Sequence, residues 1–320
     1  MHRGNRYFGV ISWSSLYKLA GVALLVAGCF PTRSMAQQPG QKTFSSAHDA
    51  AQALVTAAQN NDQSAMLEIL GPDAKEIISS GDQAEDAENR ANFVQRYQEM
   101  HRMVKEPDGT TTLYLGAENW PMPIPLVNKG SIWYFDTASG KKEILYRRIG
   151  RNEISTIHIC QELVAAEKEY YSSHNDQYAP KITSDQGQQN GLYWKADSGQ
   201  PQSPIGPMVA HAVAEGDAQA TPYRGYYFHA LAGQGASAPG GAKVYVSDGK
   251  MTGGFAFVAY PAEYRSSGVM TFIVAKDGTV YRKDLGPNTA AIAKAMKTFN
   301  PDATWKKDED QQAEAASAQK

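Results

Sequence analysis

The chain has 320 residues, 42% hydrophobic and 20% charged, an ordinary globular balance with length for about two domains. Its 31 basic and 33 acidic residues give a formal charge of −2, which excludes a general nucleic-acid binder, because neutralising phosphates needs a basic surface. Two cysteines exclude a disulfide scaffold and a zinc ribbon.

Residues 1–36 read as an export leader. They hold Arg3, Arg6, Lys18 and Arg33 but no acidic residue, and Leu19–Phe30 is apolar throughout. A basic segment followed by a short apolar core is the form of a secretory signal. As a helix this run would rise only about 18 Å, short of a hydrocarbon layer of about 30 Å. Two processing sites compete. Ser34-Met35-Ala36 is a small-x-small site, with cleavage after Ala36. Leu25-Val26-Ala27-Gly28-Cys29 resembles a bacterial lipoprotein signal, in which residues 1–28 are removed and Cys29 is lipidated. Cleavage after Ala36 removes four basic residues and no acid, so the charge moves from −2 to −6. The expected location is the periplasm or the outer membrane, with membrane contact only through a lipid on Cys29. Cys160 is then the one cysteine left, in an apolar-periodic segment where a buried, inert thiol is expected.

A first domain is expected over 44–146. Ala47, Ala51, Leu54 and Ala58 recur at helical spacing, with Ser46 placed to cap the first turn. Asp62 to Leu70 reads as a short helix that Gly71 and Pro72 end. A longer helix follows Asp82, with Ala87, Phe93, Val94, Tyr97 and His101 near one side. The period then changes to two. Strands are expected at Thr111–Leu115, Pro123–Val127, Ser131–Asp136 and Lys142–Tyr146, separated by Pro107-Asp108-Gly109, Asn128-Lys129-Gly130 and Ala138-Ser139-Gly140. Helices on one face of an antiparallel sheet make an α+β domain, similar in order to the cystatin/NTF2-like architecture.

A second domain is expected over 147–305. Arg147-Arg148-Ile149-Gly150-Arg151 forms a basic junction, and Asn152 can cap a helix reaching about Ser173. A loop rich in Pro, Gly and Gln follows Tyr193-Trp194. Strands are expected at about Tyr223–Leu231, Lys243–Val246, Gly254–Tyr260, Met270–Ala275 and Thr279–Arg282. Asp277-Gly278 reads as a tight hairpin turn with positive φ at both positions. Asn288–Phe299 reads as a closing helix, and 306–320 as a disordered tail of Lys, Asp, Glu, Gln and Ala.

Several runs together resemble one family. They are Pro125-Leu126-Val127, Trp133-Tyr-Phe-Asp136, Arg147-Arg-Ile-Gly-Arg-Asn-Glu153, Asn190-Gly-Leu-Tyr-Trp194, Gly225-Tyr-Tyr-Phe228, Ala259-Tyr-Pro-Ala-Glu-Tyr264, Lys283-Asp-Leu-Gly286 and Asp302-Ala-Thr-Trp305. The chain resembles the bacterial domain-of-unknown-function 2950 family over about Phe44 to Trp305. The resemblance implies an exported envelope protein and supplies no activity. A second similarity covers the later half: Asn152-Glu153, Glu167-x-x-Tyr170, Tyr178-Ala179 and Gly191-Leu-Tyr-Trp194 look like the soluble part of type IV pilin-like proteins. That likeness implies a long helix packed on an antiparallel sheet. It departs from the family in lacking the apolar amino-terminal helix that anchors a pilin.

No motif for catalysis, a cofactor or a metal emerges, and none of the three is assigned. Gly233-Gln-Gly235-Ala-Ser-Ala238 approximates a dinucleotide fingerprint, but Pro239-Gly240-Gly241 follows where a phosphate-binding helix is needed. His158 and Cys160 would sit about 200° apart on a helix and cannot share a metal; His211 and His229 are isolated. The acidic group Asp82, Glu85, Asp86 and Glu88 suits a helix start. Aromatic residues are dense, and Tyr193, Trp194, Tyr226, Tyr227, Tyr260 and Tyr264 are the candidate partner surface, since exposed Tyr and Trp anchor proteins and glycans. Arg147, Arg148 and Arg151 are candidates for pairing between the domains or for an anion. The expectation is a non-enzymatic binding or scaffolding module whose partner is an envelope protein or a glycan. Two alternatives stand beside it. One is a small-ligand or hydrolytic pocket in the first domain. The other is a pilus or secretion accessory with an exposed apolar stripe on the 152–173 helix.

Overall fold

A computed structural model describes residues 37–79, 83–196, 202–210 and 221–308. The expectations at Cys29, Ala36, Asp82, His211 and 309–320 lie outside the described residues. Helices and antiparallel sheets make the fold α+β, in two compact units, 1–147 and 148–320. Among the described residues no helix is long and apolar enough to cross a membrane.

The first unit opens with α1 (Ala47–Gln59), α2 (Gln63–Leu70), a 3₁₀ turn at Pro72–Ala74, α3 (Lys75–Ile78) and α4 (Gln83–Glu99). Ser46 Oγ accepts the Asp49 N–H at 3.0 Å and Asp62 Oδ1 the Ala65 N–H at 2.9 Å, so each side chain satisfies a donor that the first helical turn leaves open. Gly71 ends α2 at φ 89° and ψ 161°, a conformation that a side chain would oppose. Strands β1 (His101–Lys105), β2 (Thr111–Leu115), β3 (Trp120–Pro121), β4 (Leu126–Lys129) and β5 (Ile132–Phe135) form one antiparallel sheet in the order β1-β2-β4-β5, with β3 also on β2. Leu113 and Leu115 are buried while Thr112 and Tyr114 are half-exposed, the alternation of a sheet covered on one face. The covered face packs with Leu54, Val55, Ile69, Leu70 and Tyr97. β1 is not anticipated by the sequence reading. His101 begins it and pairs with Leu115, so the helical run stops two residues earlier than its spacing implies.

The junction differs most from expectation. Lys142–Tyr146 is not a strand, and Asn152 does not cap a helix. One helix, α5, runs unbroken from Thr137 to Ser173, and the divide between the units falls inside it. Asp136 starts it: its Oδ1 accepts the Ser139 N–H at 3.1 Å and its Oδ2 the Ser139 hydroxyl at 2.7 Å. Gly140 is no turn residue. A Cβ there would lie 2.5 Å from Ile124 Cγ1, so glycine serves a close approach. Asn152 sits within the helix and donates to the Ser267 carbonyl at 2.8 Å.

In the second unit α6 (Pro207–Ala210) precedes β6 (Tyr226–Leu231), β7 (Gly233–Gln234), β8 (Lys243–Val244), β9 (Val246–Ser247), β10 (Lys250–Met251), β11 (Ala256–Pro261), β12 (Met270–Ala275) and β13 (Val280–Asp284). α7 (Thr289–Ala295), β14 (Thr298–Phe299) and β15 (Lys306–Lys307) follow. The main sheet is antiparallel in the order β15-β13-β12-β11-β6. Its register puts Tyr226, Phe228, Phe257 and Phe272 on one face and His229, Val258, Tyr260, Ile273 and Tyr281 on the other. α5 covers the first face: Glu153 Oε1 accepts the N–H groups of Val269 and Met270 at 2.8 and 3.0 Å. α7 and β14 cover the second, with His229 Nε2 2.8 Å from the Ala293 carbonyl and Phe299 against Tyr281 at 5.8 Å. A second, three-stranded sheet has the order β14-β7-β8, in which β14 runs parallel to β7.

Three further details depart from expectation. The closing helix stops at Ala295, and its final residues become β14. Lys306-Lys307 is not disordered: it pairs with Tyr281 and Arg282 as an edge strand, and Asp308 reaches Arg282 at 3.6 Å. At Asp277-Gly278 only the glycine has positive φ, 83°. The turn closes through the Gly278 N–H to the Ala275 carbonyl at 2.9 Å, and Asp277 Oδ1 accepts the Thr279 N–H at 3.1 Å.

Candidate functional site

The β12–β13 turn borders a cleft of about 400 Å³ in the second unit. Four separate stretches build it. Gln234 and Lys243 come from β7 and β8, Tyr245 from the single residue between β8 and β9, and Gly253, Gly254 and Phe255 from the entry to β11. Ala275, Lys276 and Asp277 come from the turn and Phe299 from β14. Tyr245, Phe255 and Phe299 are each at most 2% exposed and form an apolar floor. The Phe255 ring is fixed by Tyr178, 5.0 Å away, and by Phe257, 6.0 Å away. Gly253 and Gly254 permit close approach: a Cβ on the first would lie 2.4 Å from the Val244 carbonyl oxygen, and on the second 2.8 Å from Tyr245 Cε1.

The rim is polar. Gln234 donates both amide hydrogens, to the carbonyls of Pro239 and Gly241, and its Oε1 accepts the Tyr245 hydroxyl at 2.9 Å. Burial and, secondarily, the Asp277 charge push the Tyr245 phenol up to about 12, so it stays a donor at neutral pH. Lys276 Nζ lies 5.4 Å from the Tyr178 ring centroid, and the nearby Tyr178 phenol holds its ammonium above the usual lysine range. Among the described residues, no three His, Cys, Asp or Glu side chains converge as metal ligands.

The aromatic residues singled out from sequence divide. Trp194, Tyr226 and Tyr260 are buried and cannot form a partner surface. They face a covered side of the sheet or the core around it, because this sheet is packed on both faces. Tyr193, Tyr227 and Tyr264 are half-exposed, and Tyr264 donates to Asp284 Oδ2 at 3.1 Å. Arg147 and Arg148 each make contacts within their own unit. Arg147 engages Glu143 at 2.7 Å, the Pro121 carbonyl at 2.7 Å and the Trp120 ring at 5.4 Å, all within the first unit. Arg148 donates to Ser266 Oγ at 3.5 Å, and Arg151 is exposed on α5.

Cys160, Glu167 and Tyr226, three strongly shifted buried groups of the second unit, do not line the cleft. Cys160 is fully buried and its thiol is raised to about 12 by desolvation, which leaves almost no thiolate. Glu167 is buried and raised to about 8 by the same cause, while the Ala179 N–H donates to its Oε2 at 2.9 Å. Tyr226 donates to the Met270 carbonyl at 2.9 Å, with Glu153 and Cys160 nearby and burial raising its phenol. In the first unit a groove of about 350 Å³ is lined mainly by polar groups, among them Asn92, Gln95, Arg96, Glu99 and Glu118. Its one large apolar residue is Leu115.

No sequence pattern brings the cleft residues together, because they come from four separate stretches of chain. The Gly253-Gly254 pair ahead of an apolar strand was the available signal, since adjacent glycines mark close backbone approach. Neither a curated protein nor a solved structure matches the chain. A family model described as "Protein of unknown function (DUF2950)" matches residues 41–307, from just before α1 through β15, and the chain belongs to that family.

Proposed function

We propose that this protein is an exported, non-enzymatic binding module of the bacterial envelope, and that its ligand occupies the cleft beside the β12–β13 turn. The observation that carries this reading is the cleft's construction: a floor of clamped aromatic rings under a rim of a few polar groups, the usual make-up of a ligand site. The shifted groups support binding over catalysis. Cys160 and Glu167 are sealed in the core, and the Tyr245 phenol is a hydrogen-bond donor rather than a base. Export is supported by the basic-then-apolar order of residues 1–36. The accessory role in a pilus draws no support from α5, whose exposed residues over 152–173 include His158, Gln161, Glu162, Lys168 and Glu169 and no large apolar side chain.

The test is expression in a Gram-negative host, followed by fractionation and native mass spectrometry of the purified chain. The expected result is an envelope-associated chain beginning at Gln37 or at a lipidated Cys29. A small molecule is expected to co-purify in stoichiometric amount and to be lost in Ala275→Trp, which fills the cleft. A full-length cytosolic product overturns export. Efficient turnover of a substrate, abolished by one polar substitution, overturns the non-enzymatic reading.

A further inference from the structure

We propose that the cleft selects an anion with a flat apolar body, its charged group met by Lys243 and Lys276 and its rings laid on Tyr245, Phe255 and Phe299. The inference rests on the cleft being the binding site and adds the chemical class of what it takes.

Three observations lead there. First, the neutral donors of the rim are already engaged. Gln234 uses both amide hydrogens on carbonyls, and the Tyr245 hydroxyl is committed to Gln234. The side-chain donors left to recognise a ligand are the two ammonium groups. Second, these ammonium groups have no carboxylate partner. Among the described residues, neither lysine joins an ion pair of the kind that links Lys141 to Glu76, Arg147 to Glu143, Lys181 to Asp185 and Arg282 to Asp308. The one carboxylate on the rim, Asp277, already accepts the Thr279 N–H, so the lining carries a net charge of +1. That excess sits on a chain whose acids outnumber its bases. Third, one ammonium is held in place. Lys276 Nζ lies over the Tyr178 ring, 5.4 Å from its centroid, and the same Tyr178 packs on Phe255. A cation and an apolar ring are therefore fixed by a common neighbour, an arrangement that lowers the ordering cost of binding a ligand with both features.

Two fluorescent probes with one ring system separate charge from shape: anilinonaphthalene sulfonate and its uncharged parent, N-phenylnaphthylamine. Titrated into the full exported chain, the sulfonate is expected to bind about tenfold tighter than the parent. Lys243→Glu and Lys276→Glu should each lower sulfonate affinity about tenfold and leave the parent unchanged. Lys250→Glu, on the neighbouring hairpin and outside the lining, should alter neither, and thermal melts confirm that the exposed-site variants fold. Equal affinity for both probes, or sulfonate binding that survives the double charge reversal, overturns the anion selection and leaves the cleft reading intact. Binding of both probes unchanged in Ala275→Trp overturns the two readings together.

Discussion

Tyr114 in the first large sheet and Phe272 in the second sit in opposite surroundings. In the first unit Tyr114 of β2 stands on the open face, with the Arg102 guanidinium 4.6 Å above its ring and its neighbours Leu113 and Leu115 turned to the core. In the second unit β11 is buried along its whole length, and Phe272 of β12 is fully covered. Tyr114 is a surface element and Phe272 a structural wedge, although Tyr134 and Phe135 of the first sheet are buried almost as deeply as Phe272. What decides between them is whether a second layer lies on the far face. The comparison is broken most directly by truncation. Phe272→Ala should cost about 3–5 kcal/mol, the range for a large buried ring that leaves a cavity. Tyr114→Ala should cost about 1 kcal/mol or less, since half-exposed surface contacts contribute little. Urea denaturation monitored by circular dichroism measures both, and equal losses would erase the distinction.

The two-sided cover of the second sheet also forces polar groups into its core. Along α5, Glu143 is half-exposed and pairs with Arg147, whereas Glu167 is 1% exposed. Burial raises Glu167 from 4.5 to about 8, with the Ala179 N–H as the opposing influence; Tyr170, whose own phenol is raised in part by Glu167, lies nearby. The folded state therefore holds a proton that the unfolded state releases near 4.5. This contribution is complete below about 4.5 and is lost as pH rises through about 8. The fall should approach roughly 1 kcal/mol per pH unit between those limits. Glu167→Gln, which keeps the shape without the titration, should flatten that part of the stability profile and be the more stable form at pH values near 8. An unchanged profile would mean that Glu167 is ionised in the folded chain.

Local signals were read well and non-local ones poorly. The caps at Ser46 and Asp62 and the strand Met270–Ala275 need only neighbouring residues, and each was visible in the sequence. The Asp-Gly turns show the limit. Asp248-Gly249 joins β9 to β10 with both residues at positive φ, 51° and 75°. Asp277-Gly278 has positive φ at Gly278 alone, because five residues separate Val274 from its partner Val280 and the longer loop suits a different turn. The dipeptide is the same, and strand register chooses the geometry. The cleft was illegible for the same reason: its residues come from four stretches that meet only through pairing of β7 with β8 and β14 and of β11 with β12. Phe255-Ala-Phe-Val-Ala-Tyr260 is a continuous apolar run rather than an alternating one, which already points to a strand covered on both faces.

The smallest expected effect concerns the helix that begins in one unit and ends in the other. α5 contains Gly140 and Gly150, ten residues apart on one continuous helix, and sequence reading treated both as marks of a break. Their surroundings differ. A Cβ at Gly140 would press on Ile124, reaching its backbone Cα at 3.0 Å, whereas a Cβ at Gly150 would meet nothing within 4 Å. Gly150 therefore has no packing reason to be glycine, and its backbone freedom is a cost that the helix carries. Gly150→Ala should stabilise the protein by about 0.5–1 kcal/mol, mainly by restricting the unfolded chain. Gly140→Ala should act in the opposite direction, because the adjacent β-branched side chain and backbone must shift to admit a methyl group. Differential scanning calorimetry of the two variants reads both signs. If Gly150→Ala lowers the melting temperature, the helix requires a bend at that point that its present hydrogen bonding does not reveal.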